Sequence, residues 1–580
     1  MTFNKILRWI AVTAIYATLI IPFIVTDSLI FPFITGKNFF FRIVVEIGFA
    51  AWLLLALRDV AVRPRMSVLL GAFTIFLAVI GVADIFGDNP WISFWSNFDR
   101  MDGYITTLHL FLYFLMAGSL LSEKLWMRFL ECSVAGSALM SISGIFQFMK
   151  IVGPGVRLST TFGNASYLAI YLVFNIFFAI LLFVRDRIVW KRILLGFAMV
   201  LNAFGLYYTA TRGAILGIAG GLLLSVVLID LLDKKKTWKK KPSVYALIAV
   251  VVIAAVFITR KDSAFIKNSP VLSRFANISW AESDERQLLW PISLRGIADR
   301  PVLGWGQEGF NSVFGAHFSL RLTSAWFDRA HNIILDWLVT GGILGLMAYL
   351  SLFAASLWLL WKNARDLSLA EKALYSGLMF AYFFHNLFTF DNIVSYITFA
   401  TLLAFIQFKS TEYVSPSDLD VKKDTGRDTV VIGTAILMAL MLSLYSFNWS
   451  CIETARLLEH AAKARAAGNL SQVLSDFEQA LSHNHAMGRY EVIKPLLSAV
   501  AQMSASGVQL DTSQTFYEIS KKAIETCTAR NPGNLRNNAL AADFYQAYGD
   551  KVMEEKYLLK IAEILTNVHV LQSQQGTKVE

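Results

Sequence analysis

The sequence predicts an all-α fold: a polytopic helical membrane protein of about thirteen spans, with a helical-repeat domain at its C-terminal end. Three observations predict it. The 580 residues are 56% hydrophobic and 16% charged, with a mean hydropathy of +0.53, which is less charge than a soluble domain carries. Apolar runs of roughly twenty residues recur as far as Phe447, the length that crosses a ~30 Å hydrocarbon layer as a helix. Beyond Phe447 the runs stop and amphipathic helical spacing replaces them.

The spans fall near residues 6–25, 39–57, 66–86, 104–121, 129–149, 166–184, 193–210, 212–232, 243–259, 333–361, 372–390, 392–408 and 429–447. The first follows Lys5 and Arg8, is longer than a signal-peptide apolar region and lacks a small-residue cleavage pattern, so it reads as a retained helix. The run 333–361 is overlong and reads as an interfacial turn plus a span. The net charge of +10 does not point to nucleic acid, because the cations gather in alternate short loops. Lys5 and Arg8, Arg58 to Arg65, Lys124 and Arg128, Arg185 to Arg192, Lys234 to Lys241, Lys362 and Arg365, and Lys422 to Arg427 lie on one side of this alternation. That is the positive-inside pattern: these loops and the N-terminus are expected in the cytoplasm, and everything after Phe447 outside. Residues 1–448 then form the membrane domain, with a large outside loop at 260–330, and 449–580 an extracytoplasmic helical domain. Cys132, Cys451 and Cys527 are too few and too scattered for a disulfide framework or a metal site.

Outside loops carry the polar residues that a bundle does not need. In residues 87–103, Trp91 and Trp95 read as an aromatic belt, but Arg100 is a cation against the loop bias. In 153–172, Asn164 and Ser166 suit a helix cap, and Asn164-Ala165-Ser166 also fits a glycosylation sequon. Almost nothing separates the seventh and eighth spans, so Arg212 sits at the membrane boundary. It reads equally as a snorkelling cation or as a ligand for an anion. Gly213, Gly217, Gly220 and Gly221 read as close helix packing.

The loop 260–330 is too long for a plain connection. Arg286 and Trp290 lie one helical turn apart in it, followed by apolar residues at 292, 294 and 297, which predicts an amphipathic helix on the membrane surface. Gly304-Trp305-Gly306 ends that helix; it is not a nucleotide loop, since no strand precedes it and no Lys-Ser/Thr follows. Arg329 and His331 then bring a cation and a titratable imidazole to the outer end of the tenth span, although a lone histidine there is more often packing than chemistry. His109 and His385, inside spans, read as structural. Asp418 and Asp420, in a polar linker without an α/β domain around them, read as a chance resemblance to a metal-holding pair. Residues 461–484 and 521–565 each read as helix, turn, helix and resemble tetratricopeptide repeats.

Taken together, TFGNASYLAIYL (161–172), TATRGA (209–214), the Arg286-x-x-x-Trp290 and Asp299 to Phe310 run, and His331-Asn332-x-x-Leu335 with Gly341-Gly342-x-x-Gly345 resemble the O-antigen ligase superfamily over about residues 90–410. The FDRMDG loop (98–103) resembles a segment of members that carry C-terminal repeats. The resemblance implies a bacterial inner-membrane enzyme that moves a glycan from a polyprenyl diphosphate carrier to an acceptor on the outer face. It implies that Arg212 and Arg286 hold the donor diphosphate and that His331 activates the acceptor hydroxyl. Arg100 and Arg329 are candidate accessory residues. No metal and no cofactor is expected. The expected partners are the lipid-linked donor, a glycan, lipid or protein hydroxyl as acceptor, membrane lipid, and an envelope protein at the repeat domain. Three alternatives stand beside this: a repeat polymerase or protein O-oligosaccharyltransferase of the same chemistry, a lipid-glycan flippase, and a membrane scaffold.

Overall fold

The computed structural model describes residues 3–150, 157–233, 242–276, 285–317, 327–364, 366–411, 426–483, 487, 491–493, 495–497, 499, 514–530, 532 and 535–576. These residues are helical or irregular, with no strand among them. Each of the thirteen expected spans coincides with a helix, and among the described residues eleven helices are long and apolar enough to cross a membrane. The other two are the 17-residue Tyr104–Leu120 helix and Leu369–Asn386, which starts at a Ser368/Glu371 capping box. The Ala165–Arg185 and Ile393–Ser410 helices are the centre of the bundle, with most of their residues buried. The Pro242–Arg260 helix has no buried residue and forms an edge. The loop cations Lys234 to Lys241, Arg365, Lys422 and Lys423, and the pair Asp418 and Asp420, lie outside the described residues.

Contacts between the loops sort them onto two ends of the bundle. At one end, the Lys37 ammonium donates to the carbonyls of Ile24 and Thr161, at 2.6 and 2.7 Å. At the same end Ile30 N–H donates to Ala455 O, Asp88 N–H to Trp305 O, and Arg212 to Arg274 O. At the other, Arg58 meets Asn4, Gln407 meets the Arg65 carbonyl, Arg185 meets Glu123, and Lys191 meets Glu131. These are the two sets that the charge alternation separates, so the span count and the pairing of loops agree.

The overlong tenth run is two helices. Gly342 interrupts Ile333–Lys362 with φ 60° and ψ −160°, and the gap is filled by the Pro301–Gly306 turn. Trp305 and Gly306 N–H donate to the carbonyls of Val339 and Thr340, and Ile343 N–H donates to Pro301 O. Both backbones need glycine for this approach. A Cβ on Gly342 would lie 2.3 Å from Val302 C and O, and one on Gly304, at φ +67°, would lie 2.4 Å from Val339 O. The expected amphipathic helix is present at Glu285–Asp299. Its Leu289 and Ile292, however, pack against Phe310, Val313, Phe314 and Val339, so the face expected to meet lipid is largely covered by protein, and Leu294 is the exposed member.

The last span does not end at Phe447. Its helix continues through a π turn at Leu444–Trp449 into Ser450–Ala466. Gly468, at φ +74°, then reverses the chain into Leu470–Ser482. These C-terminal helices share one apolar cluster with Leu29, Trp95, Phe98, Met101 and Ile105 of the membrane domain.

Candidate active site

His331 lies at a loop end held at three successive residues. Asp328 takes two hydrogen bonds from the Arg100 guanidinium, Nε to Oδ2 at 2.6 Å and Nη2 to Oδ1 at 3.0 Å. Arg329 Nη2 donates to both Asp102 oxygens, at 2.8 and 2.9 Å, and to Glu308 Oε1 at 2.9 Å. Ala330 N–H donates to Asp336 Oδ1 at 2.7 Å. Glu308 also accepts from Ser96 Oγ and Asn97 Nδ2, at 2.8 and 3.0 Å. Loops 87–103, 304–309 and 327–332 are thereby tied into one unit.

Strain accompanies that unit. Ser96, Met101, Glu308 and His331 all have left-handed backbones, with φ between 56° and 63°, a conformation that costs a side-chain-bearing residue about 1–3 kcal/mol and gathers where geometry is over-determined. Electrostatics follow the same plan. Burial pushes the Glu308 carboxyl up to about 8, against the pull of Arg329 and with the help of Asp102. Asp328, although burial opposes it, is held down to about 2 by Arg100. Asp102 is likewise lowered, burial being outweighed by Arg329.

His331 Nδ1 lies 3.1 Å from the Arg329 carbonyl. A carbonyl only accepts, so Nδ1 carries the proton and, in the neutral ring, Nε2 is the basic nitrogen. The ring packs edge-on against Phe390 at 5.0 Å and Phe327 at 6.0 Å. Phe390 also lies under the Arg100 guanidinium at 4.8 Å and meets Tyr167 at 6.1 Å. The neighbouring Asp391 steadies this loop by accepting from Tyr382, Asn386 and Ser395.

Arg212 opens the Arg212–Leu232 helix, after a reversal at Ala210 with φ 50°. Its Nη1 donates to the Arg274 carbonyl at 3.3 Å. Arg157 comes in beside it, donating to Thr209 O at 2.9 Å, Thr211 Oγ1 at 2.8 Å and Ser166 Oγ at 3.5 Å. The two halves of the site meet on the first turn of the Ala165–Arg185 helix. Ser166 touches Arg157, and the next residue, Tyr167, packs on the phenylalanine that holds His331.

Of the expected residues, the structure brings Arg212 and His331 to the same end of the bundle, and places Arg100 and Arg329 in carboxylate ion pairs beside His331. Both side chains are engaged in tying these loops together. Arg286 falls in the first turn of the Glu285–Asp299 helix, and its side chain lies outside the described residues. His109 is structural as expected, bonded to Ile105 O and Glu46. Sequence reading passed over Asp102, Glu308, Asp328, Arg157 and Arg274. The two arginines carried the signal that marked Arg100, a cation in a loop that should have few. The acids carried none, because nothing in their spacing announces an arginine two hundred residues away.

A family model described as O-antigen ligase matches residues 197–350. The stretch it covers holds Arg212, Glu308, His331 and the Gly304/Gly342 junction. That stretch is thus similar to the O-antigen ligase family. The chain is also similar to a general O-oligosaccharyltransferase of Acinetobacter baylyi, 24% identical over 225 residues, which are 38% of this chain and 37% of that protein. The similarity thus spans little more than a third of the relative's length.

Proposed function

We propose that this chain transfers a glycan from a polyprenyl diphosphate carrier to an acceptor hydroxyl at the outer face of the inner membrane. The observation that carries the proposal is the convergence, around the first turn of the Ala165–Arg185 helix, of Arg157, which binds the residue preceding Arg212, and a histidine whose Nδ1 faces the Arg329 carbonyl. The membrane helices and the family match support the class of reaction. The alternation of loop charge supports the assignment of this end of the bundle to the outside.

In this reading Arg212, with Arg286, binds the diphosphate and stabilises the negative charge that grows on it. His331 Nε2 takes the proton of the attacking hydroxyl as its oxygen bonds to the sugar C1. The C1–O bond to phosphate breaks on the opposite side, its electron pair leaves with the polyprenyl diphosphate, and the anomeric centre inverts. Arg329 contributes through its backbone carbonyl, which fixes the imidazole tautomer, while its side chain is engaged by Asp102 and Glu308.

The test is single turnover with purified protein in lipid nanodiscs, a lipid-diphosphate glycan, and separate lipid, peptide and glycan acceptors. Loss of roughly 10²–10⁴-fold in His331→Ala, the range for a removed general base, with comparable loss in Arg212→Ala, is expected. Turnover near that of the parent in both folded variants overturns the proposal. Product length separates single-step transfer from polymerisation.

A further inference from the structure

The end of the bundle opposite His331 holds a cleft that the transfer reaction does not use. Its volume is about 1370 Å³, and it opens among helix ends that carry Arg8, Ser67, Trp358, Lys362 and Ser410. Ion pairs fix its floor. The Lys409 ammonium, 3% exposed, bonds Glu123 and Asp366, and Glu123 also takes Arg185. One wall is clamped as firmly: Gln407 donates to the Arg65 carbonyl at 2.7 Å and accepts from Ser67 Oγ. That joins the turn before the Val68–Ile85 helix to the Ile393–Ser410 helix.

The charges on the lining do not cancel. Glu123 and Asp366 face Lys409, and Asp59 Oδ1 accepts from Ala61 N–H at 3.0 Å. Among the described residues, neither Arg8 nor Lys362 has a carboxylate partner, and both are exposed to the cleft. The Lys362 ammonium rests 4.4 Å from the Trp358 ring centre. Ser410, also on the lining, is buried, and its hydroxyl has no hydrogen-bond partner among the described residues. A buried hydroxyl ordinarily finds one.

The rim carries the opposite chemistry. Met66, Val68 and Trp358 line the same cleft and are 85%, 58% and 54% exposed. A soluble anion needs the cations and has no use for this apolar rim. A phospholipid uses both, and a basic pocket between helices at the cation-rich end of a bundle is where an anionic headgroup settles.

We propose that this cleft binds an anionic glycerophospholipid of the adjoining leaflet, with its headgroup on Arg8, Lys362 and Ser410 and its acyl chains against Met66, Val68 and Trp358. The bound lipid braces two helices whose other ends carry the candidate active site: Val68–Ile85 leads into loop 87–103, and Ile333–Lys362 starts two residues after His331. The inference does not depend on the donor reading.

The experiment titrates delipidated full-length protein in detergent with short-chain phosphatidylglycerol, short-chain phosphatidylcholine and glycerol phosphate, and reads bound ligand by native mass spectrometry. The parent is expected to bind phosphatidylglycerol roughly tenfold or more tightly than phosphatidylcholine, and Arg8→Gln and Lys362→Gln each to bind it roughly fivefold more weakly. Lys191→Gln is the control, a cation at the same end of the bundle that is paired with Glu131 and lies off the cleft; it should bind as the parent does. Both cleft cations are exposed, so the variants are expected to fold, and a thermal unfolding scan checks that they do. Parent-like binding by folded Arg8→Gln and Lys362→Gln overturns the proposal. So does equal weakening by Lys191→Gln, which would mean a general surface-charge effect. Equal affinity for the two lipids, or glycerol phosphate binding as tightly as phosphatidylglycerol, overturns it as well, the latter in favour of a soluble anion.

Discussion

Arg329 and Asp102, 227 positions apart in sequence, are joined through one guanidinium nitrogen that reaches both carboxylate oxygens at 2.8 and 2.9 Å. The same nitrogen reaches Glu308 at 2.9 Å, so one cation faces two acids in a site where the Glu308 side chain is 1% exposed. The pair ties the loop before His331 to the loop after the third span. Asp102→Ala leaves Arg329 with Glu308 alone, a carboxyl that burial disposes toward its protonated form. We expect a loss of about 3 kcal/mol, the scale for stripping one partner from a buried ion pair, read as a lowered unfolding midpoint in detergent. Asp102→Asn, which keeps the shape, is expected to lose less.

The acids also set a pH dependence. Glu308 has its folded pKa raised to about 8, so relative to the unfolded chain it binds more protons between the ordinary carboxylate value and 8. Its contribution is complete in acid and is lost as pH rises through 8. Asp328 is lowered to about 2, so its contribution is present above the ordinary carboxylate value and is lost as pH falls through 2. Stability measured against pH should therefore decline from the ordinary carboxylate value up to about 8 and level off above it, and Glu308→Gln should flatten that alkaline limb. An unchanged alkaline limb in this variant would show that another group governs it.

The same geometry explains what the sequence discloses and what it hides. Membrane helices are legible because a ~30 Å apolar layer demands about twenty apolar residues, and even the division of the tenth run is announced by its excess length and by Gly341-Gly342. His331 and Arg212 stand out because polar groups at a membrane boundary need a reason. Asp102, Glu308 and Asp328 do not stand out, since acids in outside loops are ordinary and only folding reveals that each faces an arginine. The helix expected at 285–299 is there, but what covers its apolar face was not legible, for a related reason. An apolar stripe says that a face is covered, and both lipid and the Phe310–Phe314 segment would cover it.

The Gly304/Gly342 junction predicts a steric result. A methyl on Gly342 would meet Val302 C and O at 2.3 Å while also occupying φ 60°. Gly342→Ala should cost about 3 kcal/mol, combining the left-handed penalty with displacement of the Pro301–Gly306 turn. Gly345→Ala, whose added carbon would first meet the Ile80 side chain at 3.3 Å, is the control with a smaller loss. Equal midpoints for the two variants would refute the stitched break as a source of stability.

Arg100 and Asp328 offer a test of the loop unit that is independent of catalysis by His331. Their fork-to-carboxylate pairing, at 2.6 and 3.0 Å, is largely screened from water, with side chains 21% and 19% exposed. Arg100 also rests on Phe390, which packs on His331. Removing the arginine therefore unties Asp328 and releases the ring that holds the imidazole. In a double-mutant cycle, Arg100→Ala and Asp328→Ala are expected to couple by about 1–3 kcal/mol in stability. Their effects on turnover should be non-additive as well, with diphosphate binding left as in the parent, because neither residue is one of the arginines, Arg212 and Arg286, assigned to the donor. Additive effects on both measures would mean that the two loops hold their places separately, and that His331 owes its orientation to the Arg329 carbonyl alone.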